Sequence, residues 1–184
     1  MATTFVSIAN RAITFLGGTT ITSLDADTDE GRAIKRIYEQ TRDQVLRDHP
    51  WNFAIKRVAL PANTVAPVFE YTNAFNVPVD WLRTVEVETD EEWVMEGRAI
   101  VSDASAPLEI VYIHQVTDAT LFDAKFIEAY ATRIAADVAF DITANRSIVR
   151  DLEEKYFRLM QRARLVDAQE ASSESETTWL ESRN

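Results

Sequence analysis

Hydrophobic and polar positions follow two rhythms along this chain, and the change of rhythm divides it. Near the amino terminus Phe5, Ile8, Ala9, Ala12, Ile13 and Leu16 recur at the spacing of one helical face, and Gly17-Gly18 supplies a left-handed stop. A connection through Ile21 and Leu24 leads to Asp25, Asp27, Asp29 and Glu30, which complement the amino-terminal dipole of a second helix. That helix carries Ile34, Ile37, Tyr38, Val45 and Leu46. It must end near Asp48, because Pro50 pushes His49 out of the helical region and lacks an amide hydrogen of its own.

From Trp51 to about Val116 the period is two. Trp51 and Phe53 open an alternation of large apolar and polar residues, so the junction of His49, Pro50, Trp51 and Phe53 is expected to hand a helix directly to a strand and to tie a helical layer to a sheet. Ala54, Lys56 and Val58 alternate with Phe53, Ile55 and Arg57, and Val85 and Val87 alternate with Glu86 and Glu88. Trp93-Val94-Met95 and Ala99-Ile100-Val101 flank Glu96-Gly97-Arg98 as a hairpin. Leu108 to Ile113, after Pro107, is the expected most buried strand, and Pro61, Pro67 and Pro78 mark loops.

Helical spacing resumes at Asp123 with Phe126, Ala129, Tyr130, Ile134 and Val138 on one stripe, and stops near Thr143. A fourth helix from about Asn145 turns Ile148, Leu152, Tyr156, Leu159, Met160 and Ala163 inward and Arg150, Glu153, Glu154 and Arg158 outward. The expected fold is α+β. Residues 1–50 and 117–169 form a bundle of about four helices, 51–116 an inserted small antiparallel sheet, and 170–184 a flexible, extended tail too polar to hold a fold alone.

Composition narrows the function classes. The 184 residues, 46% of them hydrophobic, suffice for a core without a disulfide or metal staple. The absence of cysteine excludes thiol catalysis, thiolate-bound zinc and iron–sulfur clusters, and fits a reducing compartment. A net charge of -11 opposes any broad grip on nucleic-acid phosphates, yet suits a surface past which DNA slides without sticking. Met1 to Phe5 has neither a basic region nor a long apolar core, and no segment approaches the ~20 uninterrupted apolar residues of a membrane span. The expectation is a soluble protein made in the cytoplasm, with no membrane partner.

Candidate chemistry is sparse. Asp25 to Gly31 resembles the start of an EF-hand calcium loop, but the bend glycine belongs at the sixth position, Glu30 here, and the bidentate glutamate at the twelfth, Arg36 here. Helix capping explains the acids more simply; a small acidic calcium-binding or regulatory module built on Asp25 to Gly31 is the alternative reading. His49 and His114 are the only histidines, one at a helix carboxyl end and one at a strand end, and both read as structural. No nucleophile elbow or phosphate-cradling loop occurs among the four glycines, and Asp90/Glu91 and Glu153/Glu154 are sequence neighbours rather than convergent acids. No catalytic residue, cofactor or metal is expected.

Two features suit partner binding. Trp179 and Leu180 stand among serines and acids, the pattern of an anchor that docks on a partner. Arg158, Arg162 and Arg164 form a cationic cluster on the last helix, placed to pair with acids of a neighbouring subunit or to stay solvated.

The chain resembles the head-to-tail adaptor proteins of tailed bacteriophages, the group called tail tubular protein A in short-tailed phages. The likeness starts in Asn10-Arg11-Ala12 and Leu16-Gly17, passes through Ser23-Leu24, and is strongest at Arg42-Asp43 with His49-Pro50-Trp51-Asn52-Phe53-Ala54. It continues in Phe69-Glu70-Tyr71, Ala74-Phe75, Val77-Pro78-Val79-Asp80-Trp81-Leu82-Arg83 and Glu96-Gly97-Arg98. Pro107-Leu108, Tyr112-Ile113, Asp118, Phe122-Asp123 and Phe126-Ile127-Glu128-Ala129 complete it, so it runs to about Gln169. The resemblance implies a structural virion protein at the head-tail junction: a ring of twelve identical subunits that joins the portal to a downstream nozzle or tail-tube protein. DNA passes through its lumen without sequence-specific binding, and no catalytic residue carries over.

Overall fold

Each of the first three helices begins where a side-chain oxygen satisfies amide hydrogens that the helix itself leaves free. The computed structural model, which describes the backbone of residues 3–181 and the side chains of residues 3–165, places α1 at Phe5–Leu16, α2 at Asp29–Asp48, α3 at Ala124–Thr143 and α4 at Arg146–Glu181. Thr4 and Ser7 close a capping box over α1, Thr28 accepts from the Gly31 amide at 3.0 Å, and Asp123 accepts from the Phe126 amide at 2.6 Å. Gly17 ends α1 with a φ of 72°, and Asn10 then holds the following turn through two 2.8 Å bonds to the backbone of Ile21.

These helices make one unit, the chain up to His49 together with the chain from Asp118 onward. Its axis is α3, which packs on α1, α2 and α4. The spacing predicts one buried stripe, but α3 is buried on more sides than that: Ala131, Thr132, Ala135, Ala136 and Ala139 join Phe126, Tyr130, Ile134 and Val138. Small side chains let three neighbours approach from different sides of α3, and its charged residues Lys125 and Asp141 face outward. Phe122 and Phe126 pack with ring centroids 4.6 Å apart and planes tilted by 55°, and the Tyr130 hydroxyl donates to the Tyr38 carbonyl. On α4 the stripe of Leu152, Tyr156, Met160 and Ala163 is buried, and Tyr156 donates to Asp48 at the end of α2 at 2.6 Å.

The second unit, Pro50–Thr117, lies between α2 and α3 in the chain. The chain does not pass directly from helix to strand as the alternation predicts. Asn52–Ala54 form a 3-10 turn closed by the Ala54 amide on the Trp51 carbonyl at 2.8 Å, and the first strand starts only at Ile55. Alternation reads alike in extended and turned backbone, and the short-range hydrogen bond decides.

The strands are β1 (Ile55–Leu60), β2 (Asn73–Asn76), β3 (Trp81–Glu88), β4 (Trp93–Glu96), β5 (Ala99–Ser102) and β6 (Leu108–His114). Where a single sheet is expected, they form two three-stranded antiparallel sheets, ordered β1-β6-β3 and β2-β5-β4. The sheets share one core, with Leu60, Leu108, Ile110 and Tyr112 from the first and Phe75 and Ile100 from the second. The hairpin of β4 and β5 turns at Gly97, whose φ of 59° at the first of two loop positions is the conformation that glycine adopts freely. In β3 the register slips at Leu82 and at Val85, so Thr84 and Val87 face inward three residues apart and Val85 is exposed. Each slip inserts one unpaired residue, a bulge that interrupts the period of two.

Candidate interaction surfaces

The junction residues hold structure. His49 caps α2 with extended backbone and is buried, and Trp51, only 3% exposed, stands at the start of the 3-10 turn with Phe53 half-buried inside it. His114, at the end of β6, bonds the Ala54 carbonyl through Nδ1 at 2.9 Å, which requires that nitrogen to carry the proton. The turn that follows Trp51 is thereby fastened to the central strand of its own sheet.

The same unit holds a connected polar group around Asp80. Lys56 donates to Asp80 Oδ2 at 2.7 Å, Tyr112 donates to Oδ1 at 3.2 Å, and the Asp80 carbonyl accepts from the Gln115 amide at 2.7 Å. Burial pushes the Asp80 carboxyl up, but the Lys56 ammonium and then the Tyr112 hydroxyl outweigh it and hold the carboxyl below its ordinary 3.8. Tyr112 moves the other way, pushed up to about 12 by burial first and by the Asp80 charge second. Every group has its partner, so the cluster ties β1, β6 and the entry to β3 together.

The three aspartates of Asp25 to Gly31 are engaged by their own chain. Asp25 pairs with Lys35 at 2.6 Å, and Arg32 binds Asp29 at 2.6 Å and also Asp27. These contacts raise the Arg32 pKa, through the Asp29 and Asp27 hydrogen bonds above all, and raise that of Lys35 through Asp25. Gly31 has a steric reason of its own, since a Cβ there would come within 2.6 Å of the Ala26 carbonyl oxygen. Among the described residues no group of three or more histidines and carboxylates is placed to hold a metal ion.

On α4 the arginines behave as the spacing predicts. Arg158, Arg162 and Arg164 are exposed, and among the described residues Arg164 reaches the Asp48 carbonyl at a long 3.5 Å. Where an extended tail is expected over 170–184, the backbone continues as α4 to Glu181; the side chains of Trp179 and Leu180 lie outside those described.

The reading from spacing alone passes over the large apolar side chains that face water. Phe157 is 62% and Leu165 65% exposed beside the arginines of α4, and Val68 and Phe69 are 96% and 74% exposed in the loop between β1 and β2. A signal for Phe157 was present, because it falls between inward Tyr156 and outward Arg158, off the buried stripe. None of the described helices is long and apolar enough to cross a membrane. No protein-family model matches the chain, and no curated protein matches it.

Proposed function

We propose that the chain is a subunit of a ring-shaped head-to-tail adaptor of a tailed bacteriophage, a structural protein of the virion rather than an enzyme. In this reading the ring, of twelve copies, binds the portal after packaging, encloses a conduit for DNA and receives the downstream tail protein. The observation that carries the proposal is the pairing of uncovered surfaces. One unit exposes Phe157 and Leu165 among arginines, and the other exposes Val68 and Phe69, apolar groups that assembly would remove from water.

Three further features support it. The sequence likeness to adaptors is strongest where α2 ends and the β unit begins, the point at which the insertion starts. Two unlike surfaces on one chain suit heterologous contacts, which close into a ring when the rotation between neighbours allows. The net charge of -11 suits a lumen that passes DNA without holding it.

Portal attachment is assigned to the carboxyl-terminal segment, with Trp179 and Leu180 as its anchors and Arg158, Arg162 and Arg164 earlier on the same helix. Deleting residues 167–184 is expected to abolish co-sedimentation with purified portal rings and to leave the circular dichroism melt of the rest intact. Attachment of the truncated protein at the level of the full chain would refute the assignment.

A further inference from the structure

One end of the second sheet collects features that a single copy leaves uncovered. Asn73 of β2 and Trp93 of β4 both pair with Ser102 of β5, so two strands begin and one ends in the same row. Loop 61–72 arrives at that row on firm footing: Asp103 accepts from the Thr72 amide at 2.9 Å and from its hydroxyl at 3.0 Å, and Asn73 Nδ2 donates to the Ala104 carbonyl at 3.0 Å. The Tyr71 amide then bonds the Phe69 carbonyl at 2.9 Å, around Glu70 with a φ of 69°. Few residues with a Cβ adopt that conformation, and it fixes the direction of the loop tip.

The tip therefore holds Val68 and Phe69 in water, and the edge strand β4 starts with exposed Trp93 and Val94 on its two opposite faces. Glu70, Glu91, Glu92 and Asp103 surround an open hollow of about 510 Å³ at this place. An apolar centre with a charged rim is the ordinary anatomy of a protein interface.

The outer face of α4 is cationic toward its carboxyl-terminal part. Phe157 and Leu165 are its apolar groups, Arg158, Arg162 and Arg164 stand beside and between them, and the exposed Glu153 and Glu154 lie one turn before Phe157. Guanidinium groups suit carboxylates because the planar fork meets two oxygens at once. Matching sheet end to sheet end would set acids against acids, whereas the three arginines around Phe157 and Leu165 are complementary to the acid-rimmed hollow.

We infer that the acid-rimmed apolar end of the second sheet in one copy docks on the arginine-rimmed face of α4 in a second copy. The inference rests on the ring reading and sharpens it: the arginines serve contacts between copies, and residues 167–184 serve the portal. Phe157 and Phe69 would be the central anchors, with the charges setting register and partner choice.

The absence of cysteine makes a direct test simple. Full-length Val68→Cys and Leu165→Cys, mixed one to one and treated with a short bis-maleimide, are expected to give a dimer joining positions 68 and 165. Its yield should exceed the 68–68 and 165–165 dimers by about tenfold. Arg158→Glu with Arg162→Glu in the Leu165→Cys chain should cut that yield by about tenfold, and Glu91→Lys with Glu92→Lys in the other chain should restore it. Circular dichroism checks that each variant is folded. A crossed product no more abundant than the like-with-like products, or one that ignores charge reversal, overturns the inference. A ring on the portal without the 68–165 product removes this interface and spares the adaptor reading, and a 68–165 product from a chain that never binds a portal does the reverse.

Discussion

The two units of this chain spend their hydrophobic residues in opposite ways. The helical unit sinks them into α3, where Phe126, Tyr130, Ile134 and the alanines beside them are at most 6% exposed. The β unit has a smaller core around Phe75, Ile100 and Ile110 and leaves Val65, Val68, Phe69, Val79, Trp93 and Val94 in water. A small two-sheet unit has little interior to offer, so part of its apolar surface must stay outside or meet a partner. The helical unit holds the larger core and, among the described residues, keeps its large exposed apolar groups to Leu121, Phe140, Phe157 and Leu165, so each unit offers a contact surface and the helical one carries more of the stability.

The sharpest way to break that comparison is to cut each core in turn. Phe126→Ala should cost about 3–5 kcal/mol, because the ring is fully buried and its neighbours cannot all collapse into the space. The loss should appear in the helical circular dichroism melt. Phe75→Ala removes an equally buried ring from the β unit and should be read first in tryptophan fluorescence, since Trp51, Trp81 and Trp93 all belong to that unit. Equal loss of both signals in both variants would mean that the units do not divide stability as described.

A smaller effect is expected at the junction. Trp51→Ala should lower the melting temperature or ring formation, with a cost near the low end of about 3–5 kcal/mol, and should alter no chemistry. Normal assembly with a wild-type melt would contradict the role given to this residue.

The smallest effect concerns pH. The Asp80 carboxyl is held below its ordinary 3.8 in the folded chain, so its contribution is complete above that value and disappears as pH falls through the folded value. The β unit should therefore lose stability below about pH 3.8, measured by urea unfolding followed through fluorescence. Lys56→Met removes the main charge that depresses the carboxyl and should flatten that part of the acid limb. An unchanged limb would show that the pair contributes nothing measurable, which is common for partly exposed ions.

The helices were legible because their signals are local. The acids before α2, the return of helical spacing at Asp123, the stop at Gly17 and the buried stripe on α4 lie within a few residues of what they control. The sheets were not, because pairing is set between residues far apart: Ile55 meets Ile113, and no property of either run states that β6 rather than β3 is its neighbour. The bulges of β3 and the turn at Asn52–Ala54 are equally silent, since both hide inside an alternating pattern.

The arginines of α4 were legible as a cluster, and their exposure agrees with the spacing. The apolar groups beside them escaped notice because a lone Phe157 or a Val68-Phe69 pair is ordinary in a sequence. Only solvent exposure distinguishes such groups from core. Position along the helix hinted at Phe157, but nothing in loop 61–72 announced that its tip is held out by a left-handed Glu70.

Electron microscopy of the full-length chain mixed with portal rings measures stoichiometry and orientation together. The expected result is a ring of twelve copies stacked coaxially on the portal, with the β unit of each subunit against α4 of the next. Portal rings that stay bare, or that carry the chain without rotational order, would contradict the reading of this protein as a head-to-tail adaptor.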